Sequence, residues 1–309
     1  MGMRAVVKES DVLMPFLLEN FSQEMSRTRL RELLKRGAVF VNGRAESRHD
    51  ASLKPGDEVS LLSRRETTLH AEPLFGVRIV YVDEALVVID KPSGLLTIAT
   101  EKIQQRTAIY AVNDWLRDRK EKEAAKIKGR APRVMRKQVF VVHRLDRDAS
   151  GLLVFARTPE VKEVLQTGWS AAVKKYAALV EGHPSPAEGT LMSYLKENSR
   201  LRVYGSPDNR GGGKRSVTHY RTLQTYAGAA LLEVTLETGR KHQIRVHLAE
   251  AGHPIAGDTE YGALTNPAGR LALHACSLSF PHPDTGEVRV FSSPVPSVFR
   301  KACGPGIRS

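Results

Sequence analysis

The feature that most constrains this chain is a succession of short apolar runs that helices do not regularly separate. Strand-length segments rich in Val, Ile, Leu and aromatic residues recur at 77–82, 86–89, 139–142, 152–156, 176–181, 217–223, 231–238, 274–280 and 288–291. Helical patterning is expected only at 108–122, 159–170 and 242–251. A doubly wound parallel sheet needs a crossover helix between successive strands, and this order does not supply one. The expected class is therefore α+β, built on a mixed, mostly antiparallel sheet.

Ahead of this lies a smaller unit with different patterning, a small N-terminal α/β module expected over residues 12–62. Ser26 is placed to cap a helix running to about residue 36, with Gly37 as its terminator. Leu30, Leu33 and Leu34 fall on one face of that helix, and Arg27, Arg31 and Lys35, spaced by four, line another. A strand at 38–41 meets the turn pair Asn42-Gly43, and Lys54-Pro55-Gly56-Asp57 turns into a strand at 58–62. A charged linker is expected at 63–73, followed by the larger domain at 74–303.

Charge narrows the partner. A 309-residue chain with formal net charge +13 carries enough excess to favour a polyanion, either nucleic acid or an anionic membrane. Membrane attachment is not expected, because no apolar run approaches the ~20 residues that span a bilayer. Secretion is not expected either, because residues 1–10 contain no apolar signal core. Two cysteines, Cys276 and Cys303, are too few for a four-cysteine zinc site and fit a reducing cytoplasm. Much of the basic excess is concentrated at 117–137, where ten Lys or Arg face three acids, a composition suited to phosphate contacts. At Asn209-Arg210-Gly211-Gly212-Gly213-Lys214-Arg215 the glycines are expected to prevent a stable element.

The stretch richest in chemistry is His143-Arg144-Leu145-Asp146-Arg147-Asp148-Ala149-Ser150-Gly151-Leu152, which joins two apolar strands. Rigid scaffolds present functional groups on such connections. The residue types alone do not separate Asp146 from Asp148, and either serves equally as a turn residue paired with a neighbouring arginine.

This stretch resembles the hallmark of the RluA-type pseudouridine synthases, His-Arg-Leu-Asp-x-x-Thr-Ser-Gly-Leu. The resemblance extends to Asp90-Lys91-Pro92-Ser93-Gly94-Leu95, to Lys174-Lys175-Tyr176-Ala177-Ala178-Leu179-Val180-Glu181-Gly182, and to Val217-Thr218-His219-Tyr220. It continues through Gly239-Arg240-Lys241-His242-Gln243-Ile244-Arg245-Val246-His247-Leu248, then Gly257-Asp258 and Tyr261-Gly262. Ala149 departs from the family's Thr, which puts one local hydrogen bond in doubt. Residues 26–57 resemble the RNA-binding domain named after ribosomal protein S-four, whose basic helix lies on RNA phosphates.

The resemblance implies isomerisation of uridine to pseudouridine in structured RNA, with Asp146 as catalytic carboxylate, Arg245 as its cationic partner and Tyr176 against the uracil. Arg144 would fill the space left by an everted nucleotide, and Arg27, Arg31 and Lys35 would contact RNA. The reaction adds no group and oxidises nothing, so no cofactor or metal is expected. Ribosomal RNA is expected ahead of transfer RNA, and a monomer is the default assembly. Three rivals compete with this reading. A pure RNA binder would not need an ionised Asp146. A hydrolase using His143, Asp146 and Ser150 would have all three crowded into one turn without a nucleophile elbow. A zinc deaminase would need a Cys-x-x-Cys pair, which is absent from the sequence.

Overall fold

In the computed structural model the described residues are 3–35, 39–42, 44–46, 48–61, 73–101, 103, 105–126 and 139–301. Most of the expected linker, most of the basic stretch 117–137, Gly37, Gly43 and Cys303 therefore lie outside the description. The chain divides into two compact units. One comprises Met1–Leu74 with Val112–Arg136, and the other Phe75–Ala111 with Lys137–Ser309. No helix among the described residues is long and apolar enough to cross a membrane.

In the smaller unit, strands β1 (Met3–Val6), β3 (Val39–Val41), β4 (Arg44–Ala45) and β6 (Glu58–Leu61) form a sheet in the order β1-β6-β3-β4. Strands β2 (Asp11–Val12) and β5 (Ser52–Leu53) pair separately. Helices α1 (Leu13–Phe21) and α2 (Arg27–Lys35) complete the unit. Ser26 caps α2, its Oγ accepting the Arg29 N–H at 3.3 Å. Leu30, Leu33 and Leu34 enter one core with Leu13, Leu17, Phe21 and Val59. Arg27 and Arg31 are left exposed on the outer face of the helix.

The larger unit is organised by one sheet of eleven strands. Its elements are β7 (Arg78–Val82), β8 (Leu86–Lys91), β9 (Phe140–Val141), β10 (Ser150–Ala156), β11 (Val173–Glu181), β12 (Glu188–Glu197), β13 (Val203–Ser206), β14 (Lys214–Tyr226), β15 (Ala229–Leu236), β16 (Leu273–Pro281) and β17 (Val288–Ser292). The main path is β13-β12-β14-β15-β11-β16-β10-β8-β7, with β17 on β16 and β9 on β10. Only β10 and β16 run parallel, and they pair at just Ser150↔His274 and Gly151↔Ala275. The class is α+β with a mixed, mostly antiparallel sheet.

Burial follows sequence directly. Every residue of β10 is buried, as expected for a continuous apolar run covered on both faces. Helix α4 (Pro159–Thr167) follows β10, with Thr158 as its cap, and Leu165 joins Leu152, Val154 and Ala156 in one cluster. Helix α3 (Ala108–Lys126) is divided between the two units. Helix α5 (Gln243–Glu250) sinks six consecutive residues, Gln243 to Leu248, and the short α6 (Ser297–Lys301) comes last. The glycine-rich stretch departs from expectation. Lys214 and Arg215 open β14 and pair with Leu195 and Tyr194, so the turn is confined to the residues before them. Cross-strand hydrogen bonding outweighs the glycines' freedom there.

The register places the ends of several strands side by side. Gly151 pairs with both Lys91 and Ala275, and Ala275 pairs in turn with Tyr176. A Cβ on Gly151 would stand 2.3 Å from the Ala275 carbonyl oxygen, and its φ is +111°. Only glycine fits where β10 starts.

Candidate active site

Asp146 lies on the connection that leads into β10, and that backbone is held from below by the end of β8. The Lys91 side chain is 0% exposed. Its Nζ donates to the carbonyls of Pro92 (3.0 Å), Leu95 (2.7 Å) and Arg147 (3.0 Å). Ser93 Oγ donates to the Asp148 carbonyl at 2.6 Å. Thr97 Oγ1 donates to the Leu145 carbonyl at 2.9 Å and accepts the Leu145 N–H at 3.3 Å. Peptide groups on both sides of Asp146 are thus pinned, which fixes where its carboxylate emerges.

Arg245 on α5 approaches that carboxylate. Its Nη1 stands 3.7 Å from Asp146 Oδ2, within a water's reach. The guanidinium is fixed by a two-point grip on Asp258, Nε and Nη2 each donating at 2.7 Å, and by Glu260 at 2.8 Å. It also lies over the Tyr261 ring, 4.8 Å from the centroid. Asp258 has 1% of its side chain exposed, so a buried carboxylate and a nearly buried cation compensate each other. The acidic neighbours push the arginine's pKa further above its ordinary value against the opposing effect of burial. Its charge is permanent.

His242 adds a second approach to Asp146. It precedes α5 in a left-handed conformation, φ 54°, with Nε2 3.9 Å from Asp146 Oδ1 and Nδ1 2.8 Å from the Tyr261 hydroxyl. Burial holds its pKa below the ordinary imidazole value, so the ring is neutral at pH 7. The Tyr261 oxygen already accepts the Val203 N–H at 3.3 Å. Nδ1 also stands 3.7 Å from Glu260 Oε1, and in the tautomer that accepts the Tyr261 proton at Nδ1 the His242 N–H lies on Nε2, facing Asp146. Tyr176, buried on β11, lies within electrostatic reach of Asp146, and burial followed by that carboxylate raises its hydroxyl pKa. Asp146 itself keeps 26% of its side chain exposed, so its carboxylate is open to solvent.

A model of the RNA pseudouridylate synthases matches residues 85–250, a span that contains Asp146, Tyr176 and Arg245. The chain belongs to that family.

This synthase is 36% identical over 312 residues to ribosomal large subunit pseudouridine synthase D of Xanthomonas campestris pv. campestris, covering 95% of this chain and 89% of that one. It is 34% identical over 284 residues to an uncharacterized RNA pseudouridine synthase of Bacillus subtilis, covering 90% and 89%. Among solved structures it shares its fold with human RNA pseudouridylate synthase domain containing 4, with TM-score 0.55 and 24% identity over 72% of this chain and 90% of that chain. Membership makes it an isomerase that converts uridine to pseudouridine in RNA.

The remaining sequence candidates occupy distinct positions in the synthase. Arg144 is exposed and makes no hydrogen bond or ion pair among the described residues. His143 faces inward, stacked on Trp169 at 4.6 Å, and its Nε2 accepts the Val154 N–H at 3.2 Å. Burial, aided by Lys174, drops its pKa to about 3, so it is a neutral packing group. Ser150 bonds to His274 and Arg270 instead of His143, and the hydrolytic triad is not assembled. Arg27 and Arg31 are exposed on α2, while the Lys35 side chain lies outside the description. Lys91, His242, Asp258, Glu260 and Tyr261 were missed as site residues. Lys91, His242, Asp258 and Tyr261 lie inside the motifs quoted above, whereas Glu260 falls between two of them.

Proposed function

We propose that this synthase modifies a uridine of ribosomal RNA, with Asp146 acting on the ribose as nucleophile or proton abstractor. The reading rests chiefly on one observation: a partly open carboxylate faced by a permanently charged Arg245, on a loop whose backbone is pinned beneath it. Arg245 favours the ionised form that either route requires. Tyr176 stacks on the uracil, and its neutral hydroxyl supports that role better than service as a resting base. Exposed Arg144 takes the space of the everted nucleotide, offsetting an unstacking cost on the order of a few kcal/mol.

The ribosomal target is supported by relatives named ribosomal large subunit pseudouridine synthase D. The module at 12–62 is assigned to docking RNA through Arg27, Arg31 and Lys35, joined by the linker 63–73 to a catalytic domain at 74–303. The synthase is assigned to the cytoplasm as a monomer. The experiment is tritium release from RNA labelled at uridine carbon 5. Asp146→Asn should abolish release and keep RNA affinity, and full release by that variant would end the assignment. Mapping pseudouridines in ribosomal and transfer RNA from cells with and without the gene identifies the target. A site lost from transfer RNA alone would overturn the ribosomal reading.

A further inference from the structure

A cavity of about 280 Å³ opens at the ends of β8, β10 and β16 and uses none of the groups that face Asp146 from α5. Its lining includes Arg78, Asp90, Lys91, Ser150, Arg270 and His274. His274 immediately precedes Ala275, the strand partner of Tyr176, so it projects from the opposite face of the sheet.

The polar groups of this cavity form a chain whose hydrogen-bond direction can be followed. Arg78 Nη2 and Ser293 Oγ both donate to Asp90 Oδ2, each at 2.6 Å. Ser293 has therefore used its proton, and at its contact with His274 Nε2 (3.1 Å) it must accept. Burial lowers the His274 pKa, so the ring is neutral with its proton on Nε2 and an acceptor at Nδ1. Ser150 Oγ, 2.8 Å from Nδ1, then donates to it and accepts from Arg270 Nη2 at 2.6 Å. Every donor from Arg270 onward points toward Asp90. That carboxylate, already paired with Arg78, is the negative end. The positive end is Arg270.

The carboxylates of Asp90 and Asp148 act on that end only from beyond ion-pair distance. Arg270 donates otherwise only to the carbonyls of Leu271 (3.1 Å) and Leu273 (3.4 Å). Among the described residues it has no carboxylate at ion-pair distance, and its Nη1 makes no hydrogen bond. The guanidinium is half-buried and fixed over the fully buried Phe299, 5.4 Å from the ring centroid. Lys91 beside it is likewise satisfied only by carbonyls. Two guanidinium charges and an amine that titrates near neutral pH therefore line a cavity that holds one carboxylate. The half-buried Arg270 keeps the N–H groups of Nη1 unused, and a guanidinium N–H forms a strong charge-assisted bond to an oxyanion.

We infer that this cavity is a binding site for a phosphate-class oxyanion, seated on Arg270 with Arg78 at the rim. The phosphate is either one from the RNA backbone or free inorganic phosphate. The full chain is titrated with radiolabelled inorganic phosphate by equilibrium dialysis, at ionic strength matched with chloride. RNA affinity is measured over a salt series in parallel. Arg270→Gln and Arg78→Gln are the variants, the second removing a side chain that is 57% exposed at the rim.

A free-phosphate site gives saturable binding near one per chain in the wild type. That binding weakens at least tenfold in both variants, with RNA affinity unchanged. A site for an RNA phosphate gives variants with weaker RNA binding and a salt-dependence slope smaller by about one, and phosphate competes with RNA beyond the chloride control. The inference fails if phosphate binding is equal in wild type and both variants, or absent, while RNA affinity and slope also stay unchanged. Should Arg270→Gln not fold, the same comparison is made with Arg78→Gln alone. Tritium release by the wild type, measured separately, decides the Asp146 assignment independently of this outcome.

Discussion

Replacing Lys91 by Met tests whether the loop carrying Asp146 is held by a buried amine that changes charge near neutral pH. Desolvation lowers the Lys91 pKa from its ordinary 10.5 to about 7, and only part of that effect is offset by Asp146 and Asp148. Between those values the unfolded chain holds a proton that the folded chain has released. Stability therefore rises with pH across the window from about 7 to 10.5 and is independent of this group below it. The slope is about 1.4 kcal/mol per pH unit, so from pH 7.5 to 9.0 the wild type gains about 2 kcal/mol from Lys91 alone. Methionine cannot contribute that gain, and all other titrating groups are common to both proteins.

The assay is urea unfolding at pH 7.5 and 9.0. It is followed by the fluorescence of Trp169, which packs on His143 and Phe280, in a Trp115→Phe background that silences the only other tryptophan. At both pH values the Met variant should be less stable, because the neutral amine's two N–H groups are lost to the three carbonyls that surround it at 2.7 to 3.0 Å. A buried acceptor left without a partner costs about 1–3 kcal/mol. The decisive quantity is the change in that deficit, which should widen by about 2 kcal/mol at the higher pH. A deficit that stays constant between the two pH values would refute the reasoning, since it would mean that Lys91 titrates far from neutrality and that burial does not govern its charge.

Other consequences are narrower. Arg144→Ala should slow modification of duplex or tightly stacked substrates far more than that of flexible single strands, as read by tritium release, and equal losses would remove it from the everting role. Gly151→Ala forces a methyl group to within 2.3 Å of the Ala275 carbonyl at φ +111°, and should cost about 3 kcal/mol or more. Calorimetry would show this as a melting temperature lower by roughly 10 °C. His242→Ala should lower kcat about tenfold while leaving RNA affinity unchanged, the effect of losing one N–H, worth about 1.5 kcal/mol, aimed at a carboxylate. His242→Gln, which can present an N–H, should recover part of the rate, and an unchanged kcat in His242→Ala would show that the 3.9 Å approach does not tighten during reaction.

What could be read before the structure depended on where burial leaves a one-dimensional trace. Strands covered on both faces, such as β8 and β10, are continuous apolar runs and could be placed within two residues. Strand β12, Glu-Gly-Thr-Leu-Met-Ser-Tyr-Leu-Lys-Glu, escaped notice because its burial alternates, a glycine sits near its start and its ends are charged. Strand β1 escaped because its partner β6 lies more than fifty residues on, and only pairing makes four residues a strand. The site divides along the same line. Asp146, Arg245 and Tyr176 were reached through motif resemblance. The groups that make them a site were not, because Arg245 meets Asp258 and Glu260 thirteen and fifteen residues later, and Lys91 meets the Arg147 carbonyl fifty-six residues later. One physical signal could have narrowed the search. An arginine facing inward from a helix that buries six consecutive residues needs a carboxylate to compensate it, and Gly257-Asp258 follows that helix closely. The lysine offers no such signal, since what satisfies it is backbone, and carbonyls leave no mark in a sequence.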